Sequence, residues 1–280
     1  MANSFSPNYL NNVFQQSVVQ GPTGAIDLVG IRNLQISGTG TFNNLSVGTL
    51  TGGTGTFNNL SVLSNEIRFG NSAGVTGQGG NSVAIGNSAG NITQGANSVA
   101  IGSSAGFTGQ GTNSVAIGNS AGNITQGTTS VAIGINAGFN NQGDNSVAIG
   151  NSAGNNTQGD NSVAIGSSAG FNNKGENSVA IGNSAGFITQ RINSVAIGTY
   201  AGFAIQGENS VAVGFRAGET NQPANTIILN ASGQTLNGNS GVTGCFYVSP
   251  IRSITLSTMT GFTGPIFYNP TSGEIAYLTP

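Results

Sequence analysis

"NSVAIGNSAGNITQGA" (Asn81–Ala96) is followed at once by "NSVAIGSSAGFTGQGT" (Asn97–Thr112). Repeats are read first, because a fixed period dictates architecture before any single residue does. The serine of this unit recurs at Ser82, Ser98, Ser114, Ser130, Ser146, Ser162, Ser178, Ser194 and Ser210, always sixteen residues apart. Eight of these nine copies read "SVAIG" and the ninth reads "SVAVG". At the two ends "EIRFG" (Glu66–Gly70) and "TIILN" (Thr226–Asn230) fall into the same columns. Degenerate terminal units of this kind are how a solenoid caps itself.

Inside the unit, Val and Ile stand two apart around Ala, the period of a short strand. The remainder, "NSAG", a variable triplet and "QG", reads as turns. A helix is excluded, since each of the three or four glycines per unit would cost it about 1 kcal/mol. The pattern predicts an all-β parallel β-roll (a β-solenoid) over residues 65–233, with about eleven coils of sixteen residues. Stacked about 4.8 Å apart, they make a rod of roughly 50 Å.

Two apolar columns are expected to fill the inside of the roll. One is Val83, Val99, Val115, Val131, Val147, Val163, Val179, Val195 and Val211; the other is Ile85, Ile101, Ile117, Ile133, Ile149, Ile165, Ile181, Ile197 and Val213. The alanine column beginning Ala84, Ala100, Ala116 is expected to point the other way and, staying small, to let neighbouring chains approach. The asparagine column from Asn81, broken only at Thr129, is expected to hydrogen-bond from coil to coil. A further column reads Asn91, Phe107, Asn123, Phe139, Asn155, Phe171, Phe187 and Phe203, and its rings need a cover or stand exposed.

Residues 1–24 read as an N-terminal anchor and linker, apolar in places but without a period. Residues 25–64 read as a thin β shaft, because "GTGTFNNLSV" occurs at 38–47 and again at 53–62. Residues 234–280 read as a β tip, in which Ile266–Tyr268 and Glu274–Tyr277 flank "NPTSG" as a hairpin.

Composition removes most chemistry. The 280 residues include 47 glycines, six Lys or Arg, eight Asp or Glu, one cysteine and no histidine. Without histidine there is neither a Ser-His-Asp triad nor a His-ligated metal, and one cysteine closes no intrachain disulfide. A net charge of −2 offers no basic footprint for nucleic acid. No apolar run is long enough to span a membrane as a helix, and the N-terminus lacks the basic and apolar regions of a secretory signal. No enzymatic activity and no cofactor are expected. Asp144, Asp160, Glu176 and Glu208 share one column, read as a solvated turn edge, with a bound cation or paired-carboxylate hydrolysis as the alternatives. Lys174, the only lysine, is expected in a surface ion pair with Glu176. The column from Thr93 through Gly109, Thr125, Asn141, Thr157, Asn173 and Thr189 to Ile205 is too interrupted for the flat threonine array of an ice-binding solenoid. Sequons at Asn44, Asn59, Asn91, Asn123, Asn155 and Asn230 are expected to stay bare.

A coil this small buries too little to offset the ordering of its sixteen residues. A homotrimer follows as the simplest remedy.

The "NSVAIG" units with their Gly-rich turns resemble the head repeats of YadA-like trimeric autotransporter adhesins. That resemblance covers Glu66 to Gly233 and implies a left-handed parallel β-roll shared by three chains, although the spacing here is sixteen residues against about fourteen in that family. The "GTGTFNNLSV" pair resembles phage tail-fibre shaft repeats. The C-terminal "CFYVSPIR" and "IFYNPTSGEIAY" resemble segments of virus and phage fibre proteins. Together they point to a structural fibre or spike on the surface of a virus or phage particle, held to a capsid or baseplate protein through residues 1–20 and meeting a host glycan or protein receptor. A bacterial trimeric surface adhesin is the alternative, and an ice- or matrix-binding solenoid comes third.

Overall fold

The computed structural model describes residues 66–250, together with the backbone of four short strands outside that range. The chain divides into two units, Met1–Leu60 and Ser61–Pro280. In the first, Val18–Gln20 and Ile26–Leu28 pair antiparallel. Otherwise the expected anchor and shaft lie outside the described residues. In the second, Ile266–Tyr268 pairs antiparallel with Ile275–Tyr277, in the hairpin register expected there.

Residues 66–250 form an all-β parallel solenoid of about twelve turns with a sixteen-residue repeat. Ten coils contribute two short strands, one to each of two parallel sheets, and the last two contribute to the first sheet alone. The first sheet has twelve strands, from Glu66–Phe69 through the SVAIG strands such as Val99–Ile101 to Ile227–Asn230 and Phe246–Ser249. Its register places Val on Val, Ala on Ala and Ile on Ile in successive coils. The last strand pairs Phe246 with Ile227 and carries the sheet past residue 233.

The second sheet has ten strands, built from the triplets read as turns, such as Ile92–Gln94 and Thr108–Gln110. Its strands pair only through their outer residues: Ile92 faces Thr108 and Gln94 faces Gln110. The middle residue turns into the left-handed region, with φ of 56° at Thr93 and 53° at Thr125. A strand kinked at its centre has no period-2 alternation, which is why this sheet is silent in the sequence.

The two corners of each coil rest on residues that accept positive φ. Asn97, Asn113 and their equivalents hold φ near 54°, where asparagine is among the least strained non-glycine residues. The corner after SVAIG needs glycine for a second reason. Gly102 has φ of 131°, and a Cβ there would lie 2.5 Å from the carbonyl oxygen of Gly118 in the next coil.

The interior inverts the expected packing. The buried columns are Ala84 and its equivalents on the strand and Ala89 and its equivalents in the corner, nearly all fully enclosed. Beside them lie the buried serines from Ser82 to Ser210 and the buried glutamines from Gln94 to Gln222. The columns Val83 to Val211 and Ile85 to Val213 therefore do not fill the roll. They lie on its outer face, half-buried or exposed. The alanine columns leave room for a methyl group alone, the glutamine column fills the rest of the interior, and the large apolar side chains take the opposite face of the SVAIG strands.

Large residues return to the inner column only at the ends. In the alanine register Arg68 pairs with Ala84 at the first coil, while Ile228 and Tyr247 follow Ala212 at the last. Ile228 is fully buried, with Leu236 and Tyr247 packed against the alanine core. At the first described coil Arg68 bonds to Glu66 and Gln78. The degenerate C-terminal unit thus covers the last alanines of the core.

Candidate functional site: the outer face of the roll

Each SVAIG strand offers two side chains outward, and sixteen-residue stacking aligns them into two continuous columns. With the end strands included, one column runs from Ile67 through the valines to Ile227 and Phe246. The other runs from Phe69 through the isoleucines to Val213, Leu229 and Val248. No polar residue interrupts either. The residues are most exposed at the two ends, where Phe69 is 51% and Phe246 52% accessible. An apolar strip of this length is far more than the scattered exposed hydrophobics of an ordinary soluble surface.

The inner side of the same strands is polar where it is not methyl. Ser98 donates its hydroxyl to the Gly95 carbonyl at 2.6 Å. Gln94 Nε2 donates to the Val83 carbonyl at 2.9 Å, and Gln110 Nε2 to that of Val99 at 2.8 Å, so the glutamines tie the second sheet to the first. Seven of these glutamines keep an Oε1 with no hydrogen-bond partner among the described residues.

Lys174 stands in the glutamine column. It is buried rather than paired with Glu176 at the surface, and its Nζ donates to the carbonyl and the hydroxyl of Ser178, both at 2.5 Å. Burial lowers its pKa from 10.5 to about 7. Aligning the repeat units exposes this position, because every other coil has Gln there.

The asparagine column bonds from coil to coil as expected at both ends. Asn81 Nδ2 donates to Asn97 Oδ1 at 3.2 Å and Asn97 to Asn113 at 3.3 Å; Asn193 donates to Asn209 at 3.1 Å and Asn209 to Asn225 at 3.3 Å.

In the acidic column, neighbouring main-chain amides take up the two aspartates. Asp144 Oδ1 accepts from the Thr128 amide at 2.7 Å and Asp160 Oδ1 from the Asp144 amide at 2.9 Å. Among the described residues no group of three or more His, Cys, Asp or Glu side chains is placed to hold a metal ion.

The aromatic column is half-buried, and its consecutive members stack: Phe171 on Phe187 at 5.0 Å and Phe187 on Phe203 at 5.1 Å between centroids. The asparagines that alternate with phenylalanine earlier in this column instead cap carbonyls of the preceding coil, as Asn91 does at Ser72, 2.8 Å away. The sequon residue Asn230 is buried, with Nδ2 committed to the Phe215 and Gln234 carbonyls.

The profile of the YadA head domain repeat matches the chain in two copies, over residues 110–121, 142–169 and 174–185. No curated protein and no solved structure matches. The matched residues fall on the SVAIG strands, their Gly corners and the second-sheet triplets, so these coils of the β-solenoid are similar to YadA head domain repeats. That repeat family is structural and adhesive rather than catalytic.

Proposed function

We propose that the chain is the head of a trimeric, surface-exposed extracellular adhesin, with three rolls meeting along the apolar columns of the first sheet. The observation that carries this reading is the inversion of the core. A single chain keeps alanine for itself and leaves two unbroken columns of Val and Ile outside, a surface that burial against identical copies would stabilise by about 25 cal/mol per Å². A long self-similar strip suits a symmetric assembly, because each rung meets the same rung of a neighbour. Adhesion rather than catalysis follows from the repeat family and from a chain without histidine.

Sedimentation of the purified chain should give about 83 kDa, three times 27.8 kDa. A stable 27.8 kDa species at micromolar concentration would overturn the reading.

The fifteen-residue repeat at 38–47 and 53–62 favours a second reading, in which the head is carried on a virus or phage particle with residues 1–20 as the attachment segment. Mass spectrometry of purified particles tests it. Deletion of 1–20 should then leave a folded trimer that no longer incorporates.

A further inference from the structure

The repeat supplies its own reference state, so departures from it mark places where something other than folding is being served. The densest departures lie at one corner of the last two SVAIG coils. Tyr200 and Arg216 occupy a position that is Ser or Asn in every earlier SVAIG coil, and both take positive φ, 59° and 53°. Bulky residues resist that conformation. The interior of these coils is the same alanine, serine and glutamine as elsewhere, so the fold does not require the substitution.

The two side chains build a defined surface with their neighbours. The Arg216 guanidinium lies over the Tyr200 ring at 5.7 Å and over the Phe215 ring at 5.2 Å. Tyr200 meets Phe203 edge-on at 5.4 Å. Stacking fixes the guanidinium plane and leaves its N–H edge to donate. Among the described residues its one polar contact is Glu219, with Nε 3.6 Å from Oε1 and Nε itself buried without a hydrogen-bond partner. That separation is too long for a direct bond, and Glu219 Oε2 already accepts from the Thr235 hydroxyl at 2.5 Å, so the pair offsets charge without engaging the outer N–H groups of the guanidinium. The Arg216 side chain is 43% accessible, so its outer N–H groups can donate to a hydroxyl oxygen brought to this corner. Glu219 also cancels the arginine's charge, so the corner does not favour anions. The exposed Phe215 ring offers an apolar face next to this donor–acceptor pair.

From the Arg216–Glu219 pair flanked by Tyr200, Phe203 and Phe215, we infer a binding site for a neutral saccharide. Vicinal hydroxyls engage Arg216 and Glu219, and the C–H face of the pyranose lies against the aromatic rings. The inference rests on the surface-adhesin reading and supplies the class of ligand. The corner lies beyond Gly198 and Gly214, past the ends of the strands that carry the apolar columns.

The test is calorimetric titration of the full chain with maltohexaose, cellohexaose, mannohexaose and laminarihexaose, with sialyllactose and a hyaluronan hexasaccharide as the acidic arm. Tyr200→Ser and Arg216→Ser restore the repeat's own residue and so keep the fold. At least one neutral oligosaccharide should bind saturably, and each variant should weaken it about tenfold or more. Ser104→Ala, at the same corner of an early coil, should change nothing. The proposal is overturned if no neutral oligosaccharide saturates, if both serine variants bind as the parent does, or if only the acidic sugars bind. Sedimentation of the same samples separates the two failures: a trimer without saccharide binding sinks this site alone, and a monomer sinks the adhesin reading.

Discussion

The two sheets of the roll share every coil but obey different rules. In the first, nine successive strands repeat Val, Ala and Ile with a single exchange at Val213. In the second, the corresponding triplets read ITQ, TGQ, NNQ, NTQ, NNK, AIQ and TNQ. Both sheets are pinned on the inside, where alanine, serine and glutamine recur with Lys174 the one exception among the SVAIG coils. They differ outside: Ile92, Ile124 and Ile188 alternate irregularly with Thr, Asn and Ala on the second sheet, while the first never relaxes. Solvent tolerates variation of that kind, and a packed neighbour does not. A column held uniform on both faces of one sheet is therefore explained by contact on both faces.

An arginine placed at three positions of the roll breaks or sharpens this contrast most strongly. Ala148 is fully enclosed, so Ala148→Arg should abolish folded protein, since overpacking and an unpaired buried charge together cost several kcal/mol, about the stability of a domain. Circular dichroism reads the loss. Ile149→Arg, one residue along on the outer face, should leave coils that form poorly without partners and shift sedimentation towards the monomer. Ile124→Arg, on the exposed face of the second sheet, should change neither measurement. If Ile149→Arg and Ile124→Arg behave alike, the outer faces are equivalent and the contrast fails.

The next effect probes the one charged residue inside. The Lys174 amine has a pKa of about 7 in the fold against 10.5 in the open chain. Below pH 7 both states hold the proton and the destabilisation is at its full size. Between pH 7 and 10.5 the unfolded chain binds more protons than the folded one, so stability rises with pH. Lys174→Gln restores the column residue and should stabilise the protein by a few kcal/mol at pH 7, an advantage that shrinks towards pH 10.5. Denaturation midpoints of both proteins across that range check the sign. A constant difference would mean that the amine stays charged inside.

How much of this was legible depended on what periodicity can carry. Period, strand position, the capping role of Thr226–Asn230 and the asparagine column all followed from spacing. Which face of SVAIG turns inward did not. Alternation says that Val and Ile share a face opposite Ala, and the usual preference for large apolar residues inside chose the wrong one. The deciding quantity was the gap between sheets, which depends on a second strand that spacing hides, because Thr93, Thr125 and their equivalents kink it with positive φ. Lys174 was misplaced for the same reason: with its triplet read as a turn, a lysine there looked solvent-facing.

The smallest effect concerns the one break in the asparagine column. Thr129 holds φ of 55° where its counterparts are asparagine. A β-branched residue is strained in that region, whereas asparagine tolerates it. Threonine also carries no amide to continue the ladder that Asn81, Asn97 and Asn113 begin. Thr129→Asn should relieve the strain and offer Asn113 an acceptor and Asn145 a donor. Exposed hydrogen bonds return little net free energy, so the gain should be about 1 kcal/mol. It should appear as a small rise in denaturation midpoint with sedimentation unchanged. Because the position lies in the corner rather than on either sheet face, the gain should persist in an Ile149→Arg background that has lost assembly. A gain confined to the assembled protein would place this corner between chains and move the boundary of the contact surface beyond the first sheet.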